Sequence, residues 1–346
     1  MTCNKTLYNV WKENNVLILL YDDVNVYRHI LKIMHRNKRG NIEDILLNYK
    51  DELNRTLENT DKKKLLLECI HRGFIKMTKE LLNNIGDTIQ QDIHFVEDLI
   101  YACLDRYDTH WQFFDIIYNA IPDDIYSCSM SLSNSNYIVN KNHSFYLSAI
   151  TRRRRNVIIY ILDNHRDAIS EIEAFGLSKA CIHGDLETVK LLCNYGVNLH
   201  YEDEWPIFMA QLGGNRNIVS LLLNNGVNPS YLSLKTATTT DNVSLIRLIR
   251  RMKANISNDE IQEAFSNALL SYHRNTLEYL YKHFTLKVTR NMVSMLCLED
   301  KRRTLKWLYE KNMLDEFPIY DFIKNDKNAL RYRKHFRRFL LSSFRI

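Results

Sequence analysis

Two cysteine–histidine pairs share one spacing, Cys69-x-His71 and Cys181-x-His183. Thiolate and imidazole are the usual zinc ligands, so metal binding is the first chemistry to test. The pairs stand 112 residues apart, and ligands of one ion must converge within about 2.0–2.3 Å of it. No H-E-x-x-H, paired C-x-x-C or histidine-rich tract accompanies them. A structural unit used more than once accounts for the likeness better, and no metal or other cofactor is expected.

Two other clusters invite chemistry. Arg152 to Arg155 is a run of four arginines, the composition of a phosphate-binding or nuclear-localisation patch. Its place just before an apolar helical pattern, RNVIIYIL, puts it at a turn between helices, with its side chains in water; contact with nucleic acid stays open. Gly213-Gly214 lacks the G-x-x-x-x-G-K-[ST] or G-x-G-x-x-G context that cradles a phosphate, and a turn between helices explains it. No G-x-S-x-G, kinase set or carboxylate pair with a pocket is recognisable, so the chain is not expected to be an enzyme.

The elements that must position these residues are clearest in EWPIFMAQLGGNRNIVSLLLNNGVNPS, residues 204 to 230, which holds three of the nine glycines and two of the four prolines. Pro206 opens an apolar run of about two turns, at the first helical position, where a missing N–H costs nothing. Gly213-Gly214-Asn215 breaks it. Ile218, Val219 and Leu221 to Leu223 form a second amphipathic segment, and Gly226 stands where a helix C-terminus asks for a left-handed residue. Val227-Asn228-Pro229 leaves extended. The unit is helix, tight turn, helix, extended exit, and neither helix has a core of its own.

The unit recurs. Thirty residues earlier, KACIHGDLETVKLLCNYGVNL matches it: Val189 with Val219, Leu192 with Leu222, Gly196 with Gly226, Asn198 with Asn228. Taking the residue five after the inter-helix turn as anchor, the series runs Ile45, Thr78, Phe113, Ile158, Val189, Val219, Ile246, Leu277, Leu305. Its steps are 33, 35, 45, 31, 30, 27, 31 and 28 residues, a period near thirty that marks a solenoid. The long step contains the Ser/Asn-rich SCSMSLSNSNYIVNKN, an insertion near 121–144 that reads either as a loop on a binding face or as a plain surface loop.

Residues 204 to 230 resemble an ankyrin repeat. WPIFMA occupies the place of the family's T-P-L-H-x-A, with Trp205 for threonine and Phe208 for histidine, and NIVSLLLNNGVNP resembles its second helix and exit. The match is specific over residues 174 to 230 and extends to about residue 310; before residue 150 it rests on period and apolar pattern. The degenerate, Asn- and Tyr-rich style is similar to ankyrin-repeat proteins of large DNA viruses of mimivirus type. The resemblance implies an all-α ankyrin-type solenoid of about eight or nine degenerate helix pairs. A helical cap would span residues 1–40, the repeats 41–310 (best formed over 174–250) and a basic cap or tail 311–346. It also implies a non-enzymatic scaffold or adaptor that holds a protein partner, a host protein if the source is viral, on its concave face.

Charge separates one segment from the rest. The formal net charge is +6, but residues 327 to 346 carry seven Lys or Arg and no acid, leaving −1 for the remainder. The pattern of Leu330, Phe336, Phe339, Leu340 and Phe344 suits a basic amphipathic helix. Arg331, Arg333, Lys334, Arg337 and Arg338 are its candidate contacts to nucleic acid or an anionic surface, the alternative to protein binding. Seven scattered cysteines form no framework, as for reduced thiols inside a cell. No apolar run reaches bilayer length and no signal peptide opens the chain, so an intracellular, cytoplasmic monomer is expected. The candidate partner-binding residues are His200, Tyr201, Glu202, Asp203 and Trp205, at a tip between two well-formed repeats, with Tyr231 one repeat further. Accessible Tyr and Trp give large contact area at low entropic cost. Trp205 reads equally as packing against the next repeat.

Overall fold

A computed structural model describes Ile30, Leu31, Met34 and residues 42–48, 50–89, 92–105, 111–122, 140–253, 255–299 and 301–314. Among the described residues the protein is all-α, with no strand. Most of the expected N-terminal cap, the core of the Ser/Asn-rich insertion and the basic tail beyond residue 314, including Arg331, Arg333, Lys334, Arg337 and Arg338, lie outside the described residues.

The chain divides into two compact units, residues 1–170 and 171–346. In the first, α1 (Ile42–Asn48) and α2 (Lys50–Thr56) precede three helix pairs. These are α3 (Asn59–Arg72) with α4 (Ile75–Ile89), α5 (Ile93–Asp105) with α6 (Trp111–Ala120), and α7 (Lys141–Thr151) with α8 (Arg155–Asn164). The second unit holds five pairs. They are α9 (Glu173–Ile182) with α10 (Leu186–Asn194), α11 (Tyr201–Leu212) with α12 (Arg216–Asn224), α13 (Leu234–Ala237) with α14 (Val243–Met252), α15 (Asn258–Ser271) with α16 (Arg274–His283), and α17 (Arg290–Leu298) with α18 (Arg302–Glu310).

Packing within each unit follows one rule. First helices lie on first helices, α3 on α5 on α7 and α9 on α11 on α13 on α15 on α17; second helices lie on second helices, α4 on α6 and α10 on α12 on α14 on α16. The amphipathic stripe explains it. In α14, Leu245, Ile246, Leu248 and Ile249 are buried while Arg247, Arg250 and Arg251 are exposed, the one-sided pattern of a helix seated on neighbours. The anchors read from the sequence fall at the centre of this packing. Thr78, Ile158, Val189, Val219, Ile246, Leu277 and Leu305 are 0 % exposed and Phe113 1 %, so the sequence register is also the burial register. The side chain of Ile45 lies outside the described residues.

Helix starts follow capping chemistry. Asp185 accepts from the Thr188 amide and hydroxyl, Asn242 from the Ser244 and Leu245 amides, and Ser257 from the Glu260 amide. Five of the turns share a backbone feature five residues before the anchor, which the turn before Ile246 lacks. Gly73, Arg153, Gly184, Gly214 and Tyr272 all take positive φ there, at 83°, 58°, 70°, 69° and 51°. Glycine carries no penalty in this region, whereas arginine and tyrosine do. Gly213 serves differently: its φ is −75°, but a Cβ on it would overlap the Ile182 carbonyl oxygen of the preceding pair.

Candidate interaction site

Five of the candidates, His200, Tyr201, Glu202, Asp203 and Trp205, form the entry to α11, with Glu204 between the last two. His200 Nδ1 meets the Glu204 carboxylate, and the Tyr201 hydroxyl donates to Glu202 Oε1 at 2.9 Å. Glu202, Asp203 and Glu204 take φ of 43°, 53° and 68°, three consecutive left-handed residues without a glycine. Such a conformation costs roughly 1–2 kcal/mol per residue. Helical geometry resumes only after this kink, so Pro206 stands at the start of the regular helix, as its missing N–H requires.

Exposure sorts them. His200, Glu202 and Asp203 are exposed and Tyr201 is half-buried, while the intervening Glu204 is buried with Oε2 lacking a partner. Trp205 is half-buried and stacks on Phe208, with ring centroids 5.0 Å apart and planes at 26°. Phe208 belongs to the same helix, so this stacking is local to α11 and does not reach the next repeat. Tyr231 does not join this group. It is 46 % exposed on the exit turn after α12, and its carbonyl accepts from Gln211 Nε2, in the last turn of α11, at 3.2 Å. The Gln211 carboxamide also accepts from the Ser233 amide at 2.7 Å, bridging one repeat to the next; it was not singled out in the sequence.

The arginine run departs from expectation. Arg152 to Arg155 do occupy the turn between α7 and α8, but the side chains are not simply solvated. Arg154 donates through Nε to the Leu104 carbonyl and through Nη2 to the Asp105 carbonyl at 3.1 Å, both at the C-terminus of α5. Arg152 pairs with the Asp105 carboxylate and lies over the Tyr101 ring, 4.5 Å from its centroid. Orphan carbonyls at a helix end attract cations, which is the physical reason for the correction. Arg153 and Arg155 also have interaction partners.

Equivalent turns in the second unit perform the same task with neutral groups. Asn215 Nδ2 donates to the Cys181 and Ile182 carbonyls at 2.7 and 3.1 Å, Asn242 Nδ2 to Gly214 O at 2.7 Å, and Thr304 Oγ1 to Leu269 O at 2.8 Å. His273 Nδ1 meets Thr238 O at 2.8 Å.

The cysteine–histidine pairs split. Cys69 and Cys181 are fully buried, and burial pushes both thiols well above their ordinary range. His71 and His183 are exposed. Among the described residues no group of three or more His, Cys, Asp or Glu is placed to hold a metal, and no helix is long and apolar enough to cross a membrane.

The charge reading also needs refinement. A near-neutral sum over residues 1–326 hides local segregation: α14 carries three arginines and no acid, while α15 carries Asp259, Glu260 and Glu263. Arg247 lies over the Tyr279 ring at 5.7 Å and Arg250 over Phe284 at 5.6 Å, so exposed guanidinium groups rest on aromatic faces. Neither feature was legible from net charge.

Comparison with family models, with curated proteins and with solved structures finds no match.

Proposed function

We propose that this chain is a non-enzymatic scaffold of ankyrin type, a stack of degenerate helix pairs that holds a protein partner along its concave face. On the viral resemblance, the partner is a protein of the host cell, met in its cytoplasm. The packing of first helices on first helices and second on second within each unit supports the repeat reading. The observation that carries the binding reading is the segment His200 to Trp205. Its left-handed acidic run is costly to maintain, and strain of this kind clusters where a loop is held in shape for contact. The run presents Glu202, Asp203, part of Tyr201 and the accessible part of Trp205 together.

The test is capture of partners from cell lysate on the full chain, compared with Tyr201→Ala/Trp205→Ala. A defined protein retained by the wild type, lost by the variant and little affected by raising salt from about 50 to about 200 mM supports the scaffold. Capture that ignores both substitutions, or falls by orders of magnitude with salt, overturns it. Equal melting temperatures for the two proteins show that the loss is not unfolding.

A further inference from the structure

Charge in the second unit is divided between its two sets of helices. The first helices, α9, α11, α13, α15 and α17, hold seven acids against three Lys or Arg. The second helices, α10, α12, α14, α16 and α18, hold three acids against ten Lys or Arg. First helices pack on first helices and second on second, so acid runs along one layer and base along the other.

Between α14 and α16 the cations of the basic layer meet. Arg250 and Arg251 stand four and five residues after the anchor Ile246, and Tyr281 and Lys282 four and five after Leu277. The two pairs therefore hold matching positions on adjacent helices, and all four side chains are exposed. Side-chain contacts join the helices directly. Arg247 lies over the Tyr279 ring, while Arg250 donates to the Tyr279 hydroxyl at 3.5 Å and lies over the Phe284 ring. The His283 ring is 4.3 Å from that of Tyr279. Desolvation, followed by the charges of Arg250, Lys282 and Arg247, holds the His283 imidazole below its ordinary range, so cations of both helices act on one point.

Among the described residues none of Arg247, Arg250, Arg251 and Lys282 forms an ion pair. Nearby lysines do find acids: Lys253 meets Glu260 and Lys311 meets Glu278, each at 2.8 Å, and Lys235 meets Glu263 at 3.1 Å. A ring face holds a guanidinium in place without neutralising it, so its N–H edges stay available. Tyr281, 43 % exposed, is held from its other side. Its ring meets that of Trp307 edge-on at 6.0 Å, and Lys311 Nζ lies 5.1 Å from its centroid.

We propose that the α14–α16 face binds single-stranded nucleic acid, with Arg247, Arg250, Arg251 and Lys282 on phosphates and Tyr281 stacked on a base. Packed helices lie about 8–10 Å apart, so these cations exceed the reach of one anion and suit a chain of them. A positive track beside a fixed, exposed ring matches an unpaired strand, whose base faces are open; in a duplex they are covered. An acidic peptide would use the cations but not the ring. A bilayer would be entered by apolar side chains, and no Leu, Ile, Phe or Trp is exposed among the described residues. The face is distinct from the basic tail at residues 327–346. It is also independent of the partner proposed for His200 to Trp205, which belong to a first helix.

The test is fluorescence anisotropy of a labelled oligouridylate titrated with the full chain over a series of salt concentrations. The wild type is expected to bind it more tightly than the matching duplex, phosphatidylserine vesicles or polyglutamate. Arg251→Glu and Lys282→Glu, both exposed and outside the ring contacts, should each weaken binding roughly tenfold at an unchanged melting temperature. Each should also reduce the slope of log affinity against log salt by about 0.7, the share of one phosphate contact. Arg251→Lys should change little. Tyr281→Ala should weaken binding about tenfold with the salt slope unchanged, the mark of stacking rather than charge. Lys235→Glu, on a first helix, should have no effect. Affinity unchanged in Arg251→Glu and Lys282→Glu would assign the binding to the tail and overturn the proposal. Full affinity in Tyr281→Ala, equal affinity for duplex, vesicles or polyglutamate, or no binding by the folded wild type would overturn it as well.

Discussion

The turn between α7 and α8 and the turn between α11 and α12 solve one problem by opposite means. Each must cap the carbonyl end of a first helix in the preceding pair. The first unit uses a long cation: Arg154 reaches Leu104 and Asp105, and Arg152 adds an ion pair with Asp105. The second uses close approach: Gly213 lets the backbones meet at Ile182, and the short carboxamide of Asn215 suffices to reach Cys181 and Ile182. A long charged arm tolerates a wider gap between helix pairs, whereas glycine and asparagine require a narrow one. The first turn has an arginine, Arg153, at positive φ where the second has Gly214.

The largest expected effect breaks the close-approach side of this comparison. Gly213→Ala places a Cβ against a backbone carbonyl and the Asn215 amide, neither of which yields cheaply. It should destabilise the protein by about 3 kcal/mol, read as a shift in the urea midpoint at constant slope. An effect within error would mean that the two backbones are not in contact.

Removing the caps themselves comes next. Arg154→Ala and Asn215→Ala each strip two helix-end carbonyls of a donor and should cost about 1–2 kcal/mol. Salt distinguishes them. The Arg152–Asp105 pair beside Arg154 is partly exposed, so the stability contributed by the arginine turn should fall between low and high ionic strength, and that of Asn215 should not. Equal salt responses in the two variants would erase the distinction between the turns.

The smallest effect has the opposite sign. Arg153→Gly relieves a left-handed residue that carries a Cβ and should stabilise the protein by about 1 kcal/mol. Gly214→Arg, the reverse exchange, should destabilise it, both through backbone conformation and because a Cβ there comes within 2.7 Å of Thr240 Oγ1. Thermal melting of the two variants side by side reads the comparison directly.

Much of this was legible because periodicity is a property of one dimension. Val219 and Leu222 repeat Val189 and Leu192 at a fixed step, and a side chain that recurs on one face of every second helix must be the one its neighbours cover. The all-α class and the anchors follow from that logic. The arginine turn was misread because solvation was inferred from local sequence, while its partners Leu104 and Asp105 lie some fifty residues away in the chain.

By itself, then, the order of residues determined where helices run, where they stop and which face each one buries, because propensity, capping and apolar period act within a few residues along the chain. Which polar groups meet was decided only in three dimensions. Arg154 finds the end of α5, Asn215 the end of α9 and Asp241 the start of α16, because stacking brings residues about thirty to fifty positions apart side by side. Charge acts through space rather than along sequence, so the tertiary structure sets the electrostatics of this protein even where its sequence sets the register.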